Sequence, residues 1–162
     1  MKIQQYLLVL LEVLFPYMLN ADITEDIHFS HIGLEEGLSH STIFAINQDK
    51  GGNLWFATYD GVNKYDGYNF TVYRHQYTHP NSIASDISRC ITMDDSDRIW
   101  IGTREGLSLY NHYKDEFSNY YYKRNGLNVA VTSIIPIKKD WLMLGTAAVS
   151  YTHLRAHETL RH

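Results

Sequence analysis

The segment Asn53-Leu54-Trp55-Phe56-Ala57-Thr58 returns as Arg98-Ile99-Trp100-Ile101-Gly102-Thr103, a shift of 45 residues. Repetition at that period constrains the fold more than composition does, because each unit must be one supersecondary element that buries its apolar face against the next. The register holds without a gap: Ile46 pairs with Ile91, Asp49 with Asp94, Thr58 with Thr103, Gly61 with Gly106, Tyr65 with Tyr110 and Tyr68 with Tyr113. A weaker third copy starts at Gly126-Leu127 and reaches Leu142-Met143-Leu144-Gly145-Thr146 at a shift of 43, with Met143 in the tryptophan place.

Four short strands fit one unit. Thr42 to Gln48 is apolar and β-branched, and Asp49-Lys50-Gly51-Gly52 supplies a turn. Leu54 to Thr58 is the second strand. Asp60-Gly61 reads as a two-residue hairpin turn with positive φ favoured at both positions, and Val62 to Tyr65 follows. Asp66-Gly67 repeats the device before Tyr68 to Tyr73, which sets Tyr68, Phe70 and Val72 against a wetter face of Asn69, Thr71 and Tyr73. The second strand is apolar on both sides, Leu54 and Phe56 against Trp55 and Ala57, so it must be covered on both sides. Sheets stacked face to face around an axis do this, and a period of 45 with four strands is the size of a propeller blade. The expected fold is all-β: a partial β-propeller of about two and a half four-stranded blades, at about 38–82, 83–126 and 127–149, preceded by a hydrophobic signal-like helix. Trp55, Thr58, Gly61 and Tyr65, with Trp100, Thr103, Gly106 and Tyr110 and with Gly145 and Thr146 of the third copy, are structural repeat positions on this reading. The tryptophans fill the spaces between blades, and the glycines at 61 and 106 serve turn geometry.

Composition narrows function. The 162 residues carry 14 Lys and Arg against 18 Asp and Glu, a formal charge of -4, so no broad basic face is expected and no nucleic acid is assigned to this segment. The single cysteine, Cys90, can form no internal disulfide and reads as a small buried hydrophobe of a first strand. Lys2, an apolar run from Tyr6 to Leu19 and a small residue at Ala21 have the layout of a secretory signal. Residues 1–21 are therefore expected to be a signal peptide cleaved after Ala21, with a membrane anchor as the alternative; 22–149 would be the working domain, on the exported side of a membrane.

At these residues the chain resembles the two-component regulator propeller repeat. The matches are Gly37-Leu38, Ile43 to Ile46, Asp49, Leu54 to Thr58, Gly61-Val62 and Tyr65, then more closely Ile99 to Thr103 and Gly106-Leu107. The likeness covers roughly 27–149. It implies an N-terminal fragment of the periplasmic sensor of a hybrid two-component histidine kinase in a Gram-negative bacterium. The parent would be a homodimer on the periplasmic side of the inner membrane, recognising glycan-derived oligosaccharides and controlling transcription by phosphorelay. The remaining blades and the kinase region of the parent are then partners absent from this sequence, and no catalysis or cofactor is implied for the chain itself.

Other motifs yield to plainer readings. Residues 150–162 break the repeat, hold three of the nine histidines and resemble a translated adapter read-through, so they are expected to be a non-native tail. Within it, His157-Glu158 and Arg161 lack the context of a phosphoacceptor box, and His153 with His157 lacks a third metal ligand. His28, His31, His40, His75, His79 and His112 show no metal-binding spacing. Asp94-Asp95-Ser96-Asp97 lacks the glycine and distal glutamate of a calcium loop and sits at a hairpin turn. Tyr120-Tyr121-Tyr122 before Lys123-Arg124 could stack a sugar or a peptide; with a two-residue insertion in the second unit it is instead the end of an outer strand, Phe117 falling on Phe70 and Tyr120 on Tyr73. Two other functions fit a propeller, an exported protein-binding scaffold and a polysaccharide hydrolase or lyase; the latter needs a carboxylate or histidine cluster on a propeller face.

Overall fold

The computed structural model describes residues 28–138, 141–147 and 152–155. The signal-like segment, Ala21 included, lies outside them. The chain divides into residues 1–31, of which 28–31 carry no regular structure, and residues 32–162.

Among the described residues, the regular structure of the second unit is all strand. β1 (Ile43–Gln48), β2 (Leu54–Thr58), β3 (Val62–Tyr65) and β4 (Phe70–Tyr73) form one antiparallel meander in the order 1-2-3-4. β5 (Ser88–Met93), β6 (Ile99–Thr103), β7 (Leu107–Asn111) and β8 (Glu116–Tyr120) repeat it. A two-residue pair, β9 (Lys123–Arg124) with β10 (Leu127–Asn128), precedes a third sheet of β11 (Val131–Lys138), β12 (Trp141–Thr146) and β13 (Thr152–Arg155). β13, from the segment read as a tail, pairs antiparallel with β12 where a blade's third strand belongs. Pro136 lies in β11, a sheet-edge strand, where a missing N–H is tolerated.

The sheets stack through their first strands: β1 and β2 lie on β5, and β5 and β6 lie on β11. Two cores fill the spaces between them. Trp55, Ala57 and Val62 of the first sheet pack on Ile91, Ile99, Ile101, Tyr110 and Phe117 of the second, with Ile83. Trp100 and Leu107 of the second pack on Val131, Ile134, Leu142 and Leu144 of the third. The two apolar faces of β6 are thus buried against different neighbours, and all its residues are buried.

Some local features differ from the sequence reading. Asp60 keeps an ordinary φ, and only Gly61 is left-handed (φ 90°). The β2–β3 connection spans Tyr59 to Gly61, closed by Thr58 N–H donating to Gly61 O (3.2 Å), so it needs positive φ only at its last residue. β4 starts at Phe70 rather than Tyr68, because the Asp66 carboxylate accepts from the amides of Tyr68 and Asn69 and holds them in the turn. Tyr73 is half-buried against the core between the first two sheets instead of on a wet face, and Tyr68 is the exposed one (89%). Gly126-Leu127 does not reproduce Gly37-Leu38: Leu38 is buried, whereas Leu127 is 73% exposed in β10 and Val129 is buried after it.

Candidate functional site

The repeat positions form a built device at each inter-sheet space. Asp49 accepts from the Trp55 indole (Nε1 to Oδ2, 2.9 Å) and from the amide and side chain of Asn53. Asp94, one period later, accepts from the Trp100 indole (2.8 Å), the amides of Ser96 and Arg98, and the Arg98 guanidinium (2.7 Å). Burial pushes both carboxyls up, but these hydrogen bonds more than offset it and both pKa values lie below the usual range. The aspartate closes the turn after the first strand and also gives the buried indole N–H its acceptor. In the third sheet Ile137 stands in the aspartate place and Met143 in the tryptophan place. Donor and acceptor are absent together, as they must be if neither is to be buried unpaired.

Thr58 and Thr103, both fully buried, donate to the carbonyls of Gly61 (2.9 Å) and Gly106 (3.0 Å). A Cβ on Gly61 would strike the Tyr73 carbonyl oxygen, and one on Gly106 the Tyr120 carbonyl oxygen, so the outer strand's end comes too close for any side chain. Gly145 and Thr146 occupy the matching end of β12, where Thr132 donates to the Gly145 carbonyl (3.1 Å). Tyr65 and Tyr110 share a register position but meet different surroundings. The Tyr65 hydroxyl donates to Gly67 O (2.8 Å) and its ring lies on Phe70, whereas Tyr110 sets its edge against Trp55 at 4.7 Å.

Sequence reasoning missed one cluster. Tyr73 and Tyr110 both donate to Oδ1 of Asp115 at 2.6 Å, joining the outer strand of the first sheet to the second. Tyr73 stacks on Trp55 (5.8 Å) and meets Phe117 edge-on (5.3 Å), and Lys64 Nζ lies over the Trp55 and Tyr110 rings at 5.6 and 5.9 Å. Burial, then the Asp115 hydrogen bond, pushes Tyr110 up to about 12 and raises Tyr73 as well; the two hydroxyls hold Asp115 below the usual carboxylate range. The partners are 42 and 5 residues apart, and no spacing in the sequence links them.

Two clefts flank the second sheet. One of about 610 Å³, at the end carrying the β1–β2, β5–β6 and β7–β8 turns, is lined by Asn53, Asp97, Arg98, Tyr110, Tyr113 and Tyr120 among others. Its charges are engaged within the protein: Lys50 pairs with Asp97 across the two turns (2.6 Å) and Arg98 with Asp94. The other, about 160 Å³ and apolar, lies at the opposite end of the strands and is bounded by Tyr120, Tyr121, Tyr122, Val129, Val131 and Leu144. Phe117 pairs with Tyr110 as Phe70 pairs with Tyr65, and Tyr120 with Leu107 as Tyr73 with Val62, so Tyr120 ends an outer strand after a two-residue insertion. Lys123 and Arg124 follow in β9. Cys90 is half-buried against Val131 with its thiol pushed up to about 11 by burial, the protonated state of an unreactive side chain. The described histidines are dispersed, His40 and His75 being tied to nearby backbone, and among the described residues no three metal-capable side chains gather.

Comparison with known proteins agrees with this architecture. The two-component regulator propeller family matches residues 37–60 and 82–105. Among curated proteins, Histidine kinase P4 of Formosa agariphila is 47% identical over 49 residues, which is 30% of this chain and 4% of that protein. Among solved structures, the extracellular domain of BT3049, assigned to the hybrid two component systems of B. thetaiotaomicron, is 32% identical with a TM-score of 0.64 and covers 78% of this chain. The extracellular domain of BT4673 from the same organism shares the fold at 17% identity and a TM-score of 0.63 over 79% of the chain. The chain spans only 20% and 17% of those two domains. The two segments that match the two-component regulator propeller family, 37–60 and 82–105, fall on corresponding parts of the two repeats and contribute to the first two stacked sheets.

Proposed function

We propose that this chain is part of the extracytoplasmic ligand-sensing propeller of a hybrid two-component histidine kinase, and that its role is recognition. The observation that carries the reading is the 32% identity to the BT3049 extracellular domain over 78% of the chain, in a fold whose blade cores are given to packing. With Trp55 and Trp100 buried at 1% and 0%, ligand contacts fall to the ends of the blades. The ligand is a glycan-derived oligosaccharide, and the parent is a homodimer on the periplasmic side of the inner membrane, delivered by the signal-like segment. Binding that favours one arrangement of the dimer shifts the kinase equilibrium by the differential affinity, and phosphorelay carries the shift to transcription.

Isothermal titration of the complete ectodomain against an oligosaccharide panel tests the reading. Saturable heat with at least one oligosaccharide is the expected result, and its absence across the panel contradicts glycan sensing.

A further inference from the structure

The first strand of each sheet carries a β-bulge at the same place. The register shifts between Ile43 and Ala45 in β1, between Ser88 and Cys90 in β5 and between Val131 and Ser133 in β11, so Phe44, Arg89 and Thr132 are the unpaired extra residues. A bulge re-aims a side chain and interrupts a ladder, and bulges concentrate beside functional sites. All three residues are exposed, and they lie on the strands through which the sheets stack, at the end opposite the β1–β2 and β5–β6 turns.

The bulge residues do not stand alone. The Arg89 guanidinium lies over the Phe44 ring at 5.7 Å, Phe44 is 6.5 Å from Tyr59 of the β2–β3 loop, and Tyr59 is 5.6 Å from His40. His40 Nδ1 accepts from the Thr42 amide (2.9 Å), which leaves its proton on Nε2 as a donor. In the second sheet Arg104 holds the loop position of Tyr59, and it too is exposed. The nearby acid Asp60 is engaged by Arg74 Nε and Nη2 (3.0 and 2.9 Å). Among the described residues Arg89 and Arg104 are in no ion pair, in contrast to the paired charges of the turn-end cleft.

We infer that the bulge positions Phe44 and Arg89, with Tyr59 and His40, form a binding site for an acidic sugar at the mouth where the first strands meet. Arg89 takes the carboxylate, Phe44 and Tyr59 offer their rings to the sugar face, and His40 Nε2 donates to a hydroxyl. Stacking Arg89 on Phe44 fixes the guanidinium in advance, and a guanidinium fork matches a carboxylate with two parallel hydrogen bonds. The inference rests on the reading that this propeller binds saccharides and specifies where and of which charge.

The test is calorimetric titration of the complete ectodomain with digalacturonate and, as the neutral probe, cellobiose, for the native protein, Arg89→Ala, Arg89→Lys and Tyr59→Ala. Digalacturonate is expected to bind, Arg89→Ala to weaken it about tenfold or more, and Arg89→Lys to recover only part because the bidentate geometry is lost. Arg89 is exposed, so thermal denaturation of Arg89→Ala should match the native protein and separate lost binding from lost fold. Binding of cellobiose alone, or of digalacturonate unaffected by Arg89→Ala, overturns this site while leaving saccharide sensing intact. No binding of either probe overturns the inference, and only the wider oligosaccharide panel bears on the sensing reading.

Discussion

The two spaces between sheets are built around the same tryptophan and differ in nearly everything else. Between the first and second sheets Trp55 sits among Tyr73, Tyr110 and Phe117, with Lys64 over two of the rings and Asp115 joining two hydroxyls. Between the second and third sheets Trp100 faces Val131, Ile134, Leu142 and Leu144, with Tyr120 as its aromatic neighbour. The repeat therefore specifies how an indole is held and leaves open what it packs on. The first space adds directional hydrogen bonds that fix one arrangement, and the second relies on apolar fit, which tolerates substitution as long as volume is kept.

Truncation tests the shared part. Trp55→Ala and Trp100→Ala should each destabilise by about 3–5 kcal/mol in urea unfolding, as both side chains are almost wholly buried. The phenylalanine substitutions should differ: Trp55→Phe leaves Asp49 with Asn53 alone, whereas after Trp100→Phe the Asp94 carboxylate keeps the Arg98 guanidinium, so Trp55→Phe should be the costlier. Equal losses would show that the acceptor's remaining partners do not matter.

Close packing is the next lever. A Cβ at Gly102 would strike Cys90 Sγ and come within 2.9 Å of Val131, so Gly102→Ala should cost about 1–3 kcal/mol, although the first sheet carries Ala57 at the same position. An unchanged stability would mean the third sheet sits farther from the second than described. Tyr73→Phe should cost about 1 kcal/mol, since Asp115 keeps Tyr110 as a donor.

The spaces should also part company with pH. Asp115 has its pKa lowered in the fold, so its contribution is present above the ordinary carboxylate pKa and is lost as pH falls through the folded value. Tyr110 is raised from 10.0 to about 12, so its contribution is complete below pH 10 and is lost as pH climbs towards 12. Cys90, at the second space, is raised from 9.0 to about 11, and its contribution is lost earlier in the alkaline range. Urea midpoints between pH 8 and 12 should therefore begin to fall near pH 9 in the native protein and near pH 10 in Cys90→Ala. Lys50→Ala should have the smallest effect, under about 1 kcal/mol, as the Lys50–Asp97 pair is exposed.

Much of this difference was hidden from the sequence for a physical reason. Strands β2 and β3 were legible residue by residue, because Gly and Asp turns bound them and both faces of β2 are apolar. The two-residue insertion before Phe117 was legible too, since the aromatic pattern resumes after it. The Asp49–Trp55 and Asp94–Trp100 bonds had a signal, two identities six residues apart that vanish together in the third copy. The Tyr73–Asp115–Tyr110 cluster had none, because it depends on how two sheets stack and Asp115 lies in the inserted stretch. The third sheet was the least legible: no glycine stands between Val131 and Trp141 to mark where one strand stops, and β9 with β10 takes Leu127 out of the position that Leu38 fills.

The claim that stacked blades are locked by an aspartate-held indole is tested most directly by amide and indole hydrogen exchange followed by NMR. The account predicts that the Nε1 protons of Trp55 and Trp100 exchange only with global unfolding, and that their shifts move as pH falls through the lowered carboxyl pKa values of Asp49 and Asp94. Indole protons that exchange as fast as those of an unfolded peptide would contradict it.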